Sequence, residues 1–200
     1  MSAPIIKVTS LAADNTVFTH DVFDTGKTRI SKLSFHPADR VPVLVQFCAG
    51  GKIPAFGYEE GKFGKNVTIH VDDPEELANL EKFQDTVCMN LIQNKDKFFN
   101  NASEQAVIEN NAQFYGPPRS HDFGSWPATF KAYLKNDTVI VDTDGTRITD
   151  PTTLNRSVWV KAIVELSNIY AAGKKKSGVS KHWRYIQVKK KEPELELIPL

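Results

Sequence analysis

Apolar and polar residues alternate one by one through the front and back of this chain, and fall on a helical period in its middle. In NVTIHV, Val67, Ile69 and Val71 alternate with Thr68 and His70, the pattern of a strand with one buried face. PIIKVTSL and RISKLSF are strand-like. VPVLVQFCAG is a stronger apolar strand, which Gly50-Gly51 should end. GKIPAFGYEEGKFGKN reads as a loop or ribbon. From Asp73 the period changes. Leu77, Leu80, Phe83, Val87, Leu91 and Phe98 share one face of a helix, with Asp73 as N-cap and Pro74 at the first helical position. Phe83, Phe98 and Phe99 are expected in the core. A shorter helix is predicted over SEQAVIENNAQFYG, with Ser103 as its cap and Gly116-Pro117-Pro118 as its stop.

Strands then return. ATFKAYL and DTVIVD flank Asn136-Asp137 and read as a hairpin. Asp144-Gly145 marks a further turn. SVWVKAIVELSNIY is one long strand and SKHWRYIQVKKK the last. Alternation assigns faces. Val158, Val160, Ala162, Val164 and Leu166 share an apolar face, opposite Trp159, Lys161, Ile163 and Glu165. Phe130, Ala132 and Leu134 lie opposite Lys131, Tyr133 and Lys135. Trp183 and Tyr185 share a face, with Arg184 on the other.

Charge changes this picture. The chain of 200 residues has a net charge of only +1, yet residues 156–191 carry ten bases and one acid. The last nine residues carry three Glu and no base, and residues 1–155 hold fifteen bases and twenty acids. A basic module is therefore hidden between an acidic tip and a mildly acidic body, which points to a polyanionic partner. Cys48 and Cys88 are expected to be buried reduced thiols. The N-terminus has neither a signal-peptide nor a membrane-span pattern, so the expectation is an intracellular protein, not secreted and without a membrane partner.

Rings flanked by lysines on an outward strand face suit single-stranded nucleic acid: bases stack on the rings and phosphates meet the ammonium groups. The candidate contacts are Lys131, Tyr133, Lys135, Trp159, Lys161, Lys181, Trp183, Arg184 and Tyr185, with Lys174, Lys175 and Lys176 reaching phosphates from a turn. Phe56, Tyr58, Lys62, Phe63 and Lys65 form a second cluster. Catalytic motifs are sparse. No phosphate-binding loop signature is present, and the five histidines lack metal-ligand spacing. No catalytic residue, metal or cofactor is expected. A metal-dependent nuclease would have to be built on Arg119, His121 and Asp122 with Asp142, Asp144 and Asp150.

The segment 156–188 resembles the last two strands of the single-stranded DNA-binding proteins of T-odd phages and large nucleocytoplasmic DNA viruses. The shared pattern is Ile169-Tyr170 at the end of a long strand, the lysine-rich turn from Gly173 to Gly178, then Gly178-Val179-Ser180 and Ile186-Gln187-Val188. The resemblance implies a β-rich (α+β) fold: an OB-type five-stranded barrel with extra strands and a helical insertion at about 73–113, spanning residues 1–191. It implies a non-enzymatic role in DNA replication, recombination or repair, with single-stranded DNA as the partner and RNA as the alternative. It also implies that the tail 192–200, through Glu192, Glu194, Glu196, Ile198 and Leu200, docks a replication polymerase or helicase. The rival readings are a virion or structural protein with a basic nucleic-acid-contacting end, and the nuclease.

Overall fold

The structure is a computed structural model that describes residues 5–12, 18–34, 42–62, 64–99, 102–121, 124–173 and 176–189. In chain order the strands are β1 (Ile5–Lys7), β2 (Phe18–Asp24), β3 (Arg29–Ser34), β4 (Val43–Ile53), β5 (Tyr58–Gly61) and β6 (Gly64–Val71). Three helices follow, α1 (Pro74–Gln93), α2 (Lys95–Phe98) and α3 (Glu104–Asn110). The remaining strands are β7 (Arg119–His121), β8 (Gly124–Trp126), β9 (Ala128–Val141), β10 (Val158–Ala172) and β11 (Lys176–Lys189).

Strand order β4-β6-β9-β11-β10 closes on itself, because β10 also pairs with β4. The result is a five-stranded OB-type barrel in which β9 and β11 are parallel and the other neighbours antiparallel. β1, β2, β3 and β5 extend this sheet. The helices form an insertion between β6 and β9, as the change of period predicts. Among the described residues no helix is long and apolar enough to cross a membrane.

The alternation explains the closure. Ala128, Phe130 and Ala132 of β9 and Val160, Ala162, Val164 and Leu166 of β10 are buried, and all project into the barrel. β4 does not end at Gly50-Gly51 but runs on to Ile53. A Cβ at Gly51 would lie 2.9 Å from Ile69 Cδ1 and 3.0 Å from the His70 carbonyl, so the glycine lets β4 approach β6. The Asp73 side chain accepts from the Glu76 amide at 2.8 Å and caps α1. The buried face of α1 reaches the barrel through rings: Phe83 packs on Phe114 at 4.8 Å, and Phe114 meets Phe130 edge-on at 5.4 Å. Phe98 and Phe99 are buried as expected. Ser103 caps α3, accepting from the Ala106 amide at 3.1 Å, but α3 stops at Asn110. Cys88 is a half-buried free thiol, not a buried one, and the Cys48 side chain lies outside the described set.

The expected hairpin at Asn136-Asp137 is instead an excursion within one strand. Leu134 of β9 pairs with Trp183 and Val139 pairs with Tyr185, so residues 135–138 oppose the single residue Arg184. Thr138 Oγ1 accepts from the Lys135 amide at 2.9 Å and donates to the Trp183 carbonyl at 2.7 Å. These bonds satisfy the polar groups that the broken ladder leaves open, so the chain bulges and continues without reversing.

Candidate nucleic-acid interface

β11 sorts its side chains by the register of its neighbours. Lys181 pairs with Leu166, His182 with Glu165 and Trp183 with Val164. Leu166 and Val164 point inward, so Lys181 and Trp183 do too, and His182 points out. Trp183 is 0% exposed; its Nε1 donates to the Val67 carbonyl at 2.9 Å and its ring packs on Phe130 at 5.6 Å. Expected as an outer contact, it is a core residue. Arg184 is the extra residue of a β-bulge, which turns Tyr185 to the side of Ile163 and away from the side of Trp183. Lys181 is half-buried and turns its ammonium toward core rings, while its side chain also lines the groove described below. Its ammonium lies 4.8 Å from the Phe130 ring centre and 5.1 Å from that of Phe114, and donates to the Phe114 carbonyl. Burial lowers its pKa from 10.5 to about 7.

The outward side chains meet in a groove. β9 and β11 pair only from Tyr133 and His182 onward. Before that point residues 111–116 bridge them: the Ala112 amide donates to the Ser177 carbonyl at 2.7 Å, and Gly116 and Thr129 exchange bonds of 2.7 and 2.8 Å. Beside this bridge opens a groove of about 420 Å³ lined by Lys131, Tyr133, Tyr170, Lys176, Lys181 and His182, among others. Tyr133 is 41% exposed, and its ring centre lies 6.4 Å from that of His182. Tyr170 stands over Gly178. A Cβ there would lie 3.3 Å from the Tyr170 hydroxyl and 3.2 Å from the Ala112 Cβ, so the glycine leaves room for the ring. Burial lowers the pKa of His182, with the Lys135 ammonium adding to the effect. The imidazole is therefore neutral at pH 7, and its buried Nδ1 has no hydrogen-bond partner among the described residues.

Three of the cations expected in the first cluster are tied to carboxylates. Lys131 meets Glu59 at 2.5 Å. Lys135 meets Glu165 at 3.2 Å, and Arg184 spans Asp137 at 2.6 Å and Glu165 at 3.5 Å. Lys161 is exposed, Tyr185 is half-buried, and Trp159 is half-buried with Lys52 Nζ 6.0 Å from its ring centre. These three lie farther along β10 and β11, beyond the bulge and outside the groove. The second cluster does not assemble as expected. Phe56 is 87% exposed, but Tyr58 is buried, with its amide donating to Asn155 Oδ1 at 2.8 Å. Lys62 is exposed, and Lys65 is exposed with Glu60 at 4.0 Å. Phe63, Lys174, Lys175, Glu192, Glu194, Glu196, Ile198 and Leu200 lie outside the described residues.

The nuclease residues serve local structure where they are described. Asp142 accepts from the Thr143 amide at 2.7 Å and Asp144 from the Thr146 amide at 2.8 Å. Asp150 accepts from the Thr152 amide at 3.0 Å and caps a short 3-10 turn; the Thr152 bonds lower its pKa. Asp122 and the His121 side chain lie outside the described set, and no trio of metal-ligating groups occurs among the described residues.

Two groove rings escape sequence reasoning: Tyr170 and His182. The alternation from Val158 to Leu166 carries Tyr170 to the inner face, but a register shift between Leu166 and Ile169 reverses it. His182 follows at once when Trp183 is placed inside.

No protein-family model matches the sequence. No curated protein matches it either. Among solved structures, the chain is similar to the single-stranded DNA-binding protein of bacteriophage Enc34, with 8% identity, 92% of this chain and 96% of that chain covered, and a TM-score of 0.45. The same protein in complex with single-stranded DNA matches at 8% identity, covering 87% and 96%, with a TM-score of 0.43. A further match is gp2.5, a single-stranded DNA-binding protein encoded by bacteriophage T7, at 12% identity, 78% and 97% coverage and a TM-score of 0.47.

Proposed function

We propose that this protein binds single-stranded DNA without reading its sequence, through the groove between β9, β11 and residues 111–116. The observation that carries the reading is the composition of that groove: three rings, Tyr133, Tyr170 and His182, and three lysines, Lys131, Lys176 and the half-buried Lys181, line one opening on the outside of a closed barrel. Bases stack on rings whatever their identity, and ammonium groups meet the phosphates between them. A duplex offers no free base faces, so it gains only the phosphate part. The groove is noncatalytic in this reading. Its finer form is a role inside the cell in replication, recombination or repair of viral DNA. RNA is the alternative strand, and the tail 192–200 holds a polymerase or helicase. The charge asymmetry of the sequence supports that form.

Titration with an oligo(dT) and with a duplex of equal length, at several salt concentrations, tests the reading. The single strand should bind tighter, and its affinity should fall with a log–log slope of roughly −0.7 per phosphate contact. Equal affinity for the duplex, or no salt dependence, overturns it.

A further inference from the structure

The bulge of β11 and the excursion of β9 face one another, and their charged side chains Lys135, Asp137 and Arg184 close a quartet with Glu165 of β10. Glu165 neighbours His182 on the outer face, and its side chain is only 10% exposed. One of its oxygens holds Lys135 at 3.2 Å and the other holds Arg184 at 3.5 Å, while Arg184 also holds Asp137 at 2.6 Å. Two cations and two anions cancel. The quartet adjoins the groove through His182, yet it offers a phosphate no net charge.

We infer that Glu165, helped by Asp137, is a built-in phosphate surrogate that occupies Lys135 and Arg184 beside the free groove and so disfavours weak polyanions. A strand leaving the rings along β11 gains Lys135 and Arg184 only by taking them from these carboxylates. Carboxylate and phosphate oxygens offer the same acceptors to a guanidinium and an ammonium, so the exchange conserves hydrogen bonds. What the protein gives up is the attraction within the quartet, which is strong because Glu165 is shielded from water. Two consequences follow. Affinity is set below the value that the cations alone would give. Fewer counterions are released than the cations suggest, because Lys135 and Arg184 are already neutralised. Glu165 is thus an affinity-setting residue and not a contact. This inference rests on the proposed binding of single-stranded DNA.

The test compares the wild type, Glu165→Gln and Asp137→Asn in oligo(dT) titrations across salt. Glutamine keeps the shape of Glu165 and removes its charge. Glu165→Gln should tighten binding about tenfold at low salt and steepen the slope by roughly 0.7, the value for one added contact on a single strand. Asp137 is exposed, so Asp137→Asn keeps the fold and should tighten binding less, by a few-fold. If Glu165→Gln does not fold, Asp137→Asn decides alone. Wild-type binding with unchanged or weaker binding by the variants overturns the inference and leaves the proposed function standing. If the wild type fails to bind and the variants bind, the surrogate stands and the wild-type reading falls. Failure of all three overturns both.

Discussion

The two sides of β11 use the same chemistry to opposite ends. Inside, Trp183 packs against Phe130 and Phe47, and the Lys181 ammonium lies over Phe130 and Phe114. Outside, His182 stands beside Tyr133, and Lys131 and Lys176 line the same opening. Rings are present on both sides, and Lys181 touches both, its ammonium over the core rings and its side chain in the lining of the groove. What separates them is water. The inner rings are already packed, so they stabilise the fold and can stack on nothing else. The outer rings are exposed or half-buried and line an opening, and a ring reachable from solvent beside a cation is what a stacked base and its phosphate require. A ring-and-lysine pattern in sequence therefore does not identify a binding surface until the parity of the strand is known.

The sharpest way to break this comparison is to remove one ring from each side. Trp183→Ala should cost about 3–5 kcal/mol of stability, read by chemical denaturation, because it empties the core and removes the indole donor to the Val67 carbonyl. Tyr133→Ala should leave the denaturation midpoint nearly unchanged and weaken binding of single-stranded DNA by about 1–3 kcal/mol, read by titration. The reverse pair of outcomes would invert the two faces.

The lysines sharpen it further. Lys181 has a pKa of about 7 in the fold against 10.5 ordinarily. Below pH 7 it is charged in both states, and the fold bears the full cost of burying that charge. Between these values the unfolded chain binds more protons, so native stability rises with pH through that window. Lys181→Met removes the buried charge and should stabilise the fold at pH 7 by about 1 kcal/mol, net of the lost bond to Phe114. The gain should shrink as pH rises toward 10, which thermal melts at several pH values would show. Lys176→Ala, on the outer side, should change no melt. It should weaken DNA binding a few-fold and reduce the salt slope by about 0.7.

Much of the barrel is legible in the sequence, because β6, β9 up to Leu134 and β10 up to Leu166 alternate cleanly and their small apolar residues all fall inside. The cap and apolar face of α1 are equally local signals. What the sequence hides is irregularity. The bulge at Arg184 separates Trp183 from Tyr185, which strict alternation puts together. The shift after Leu166 brings Tyr170 out, where alternation would bury it. Residues 135–138 carry turn chemistry, and only their partner across the sheet decides that they bulge and do not reverse. Each of these outcomes depends on pairing with a distant strand, which a local pattern cannot contain. The candidate site suffers more than the fold because it sits where these irregularities meet.

Ultraviolet cross-linking of bound oligo(dT), followed by mass-spectrometric mapping of the modified residues, tests the central claim most directly. It reports which rings touch bases without altering the protein. Adducts are expected at Tyr133, Tyr170 and His182, and none at Trp183. Adducts confined to Trp159, Phe56 or the exposed Trp126, with the three groove rings unmodified, would contradict that claim.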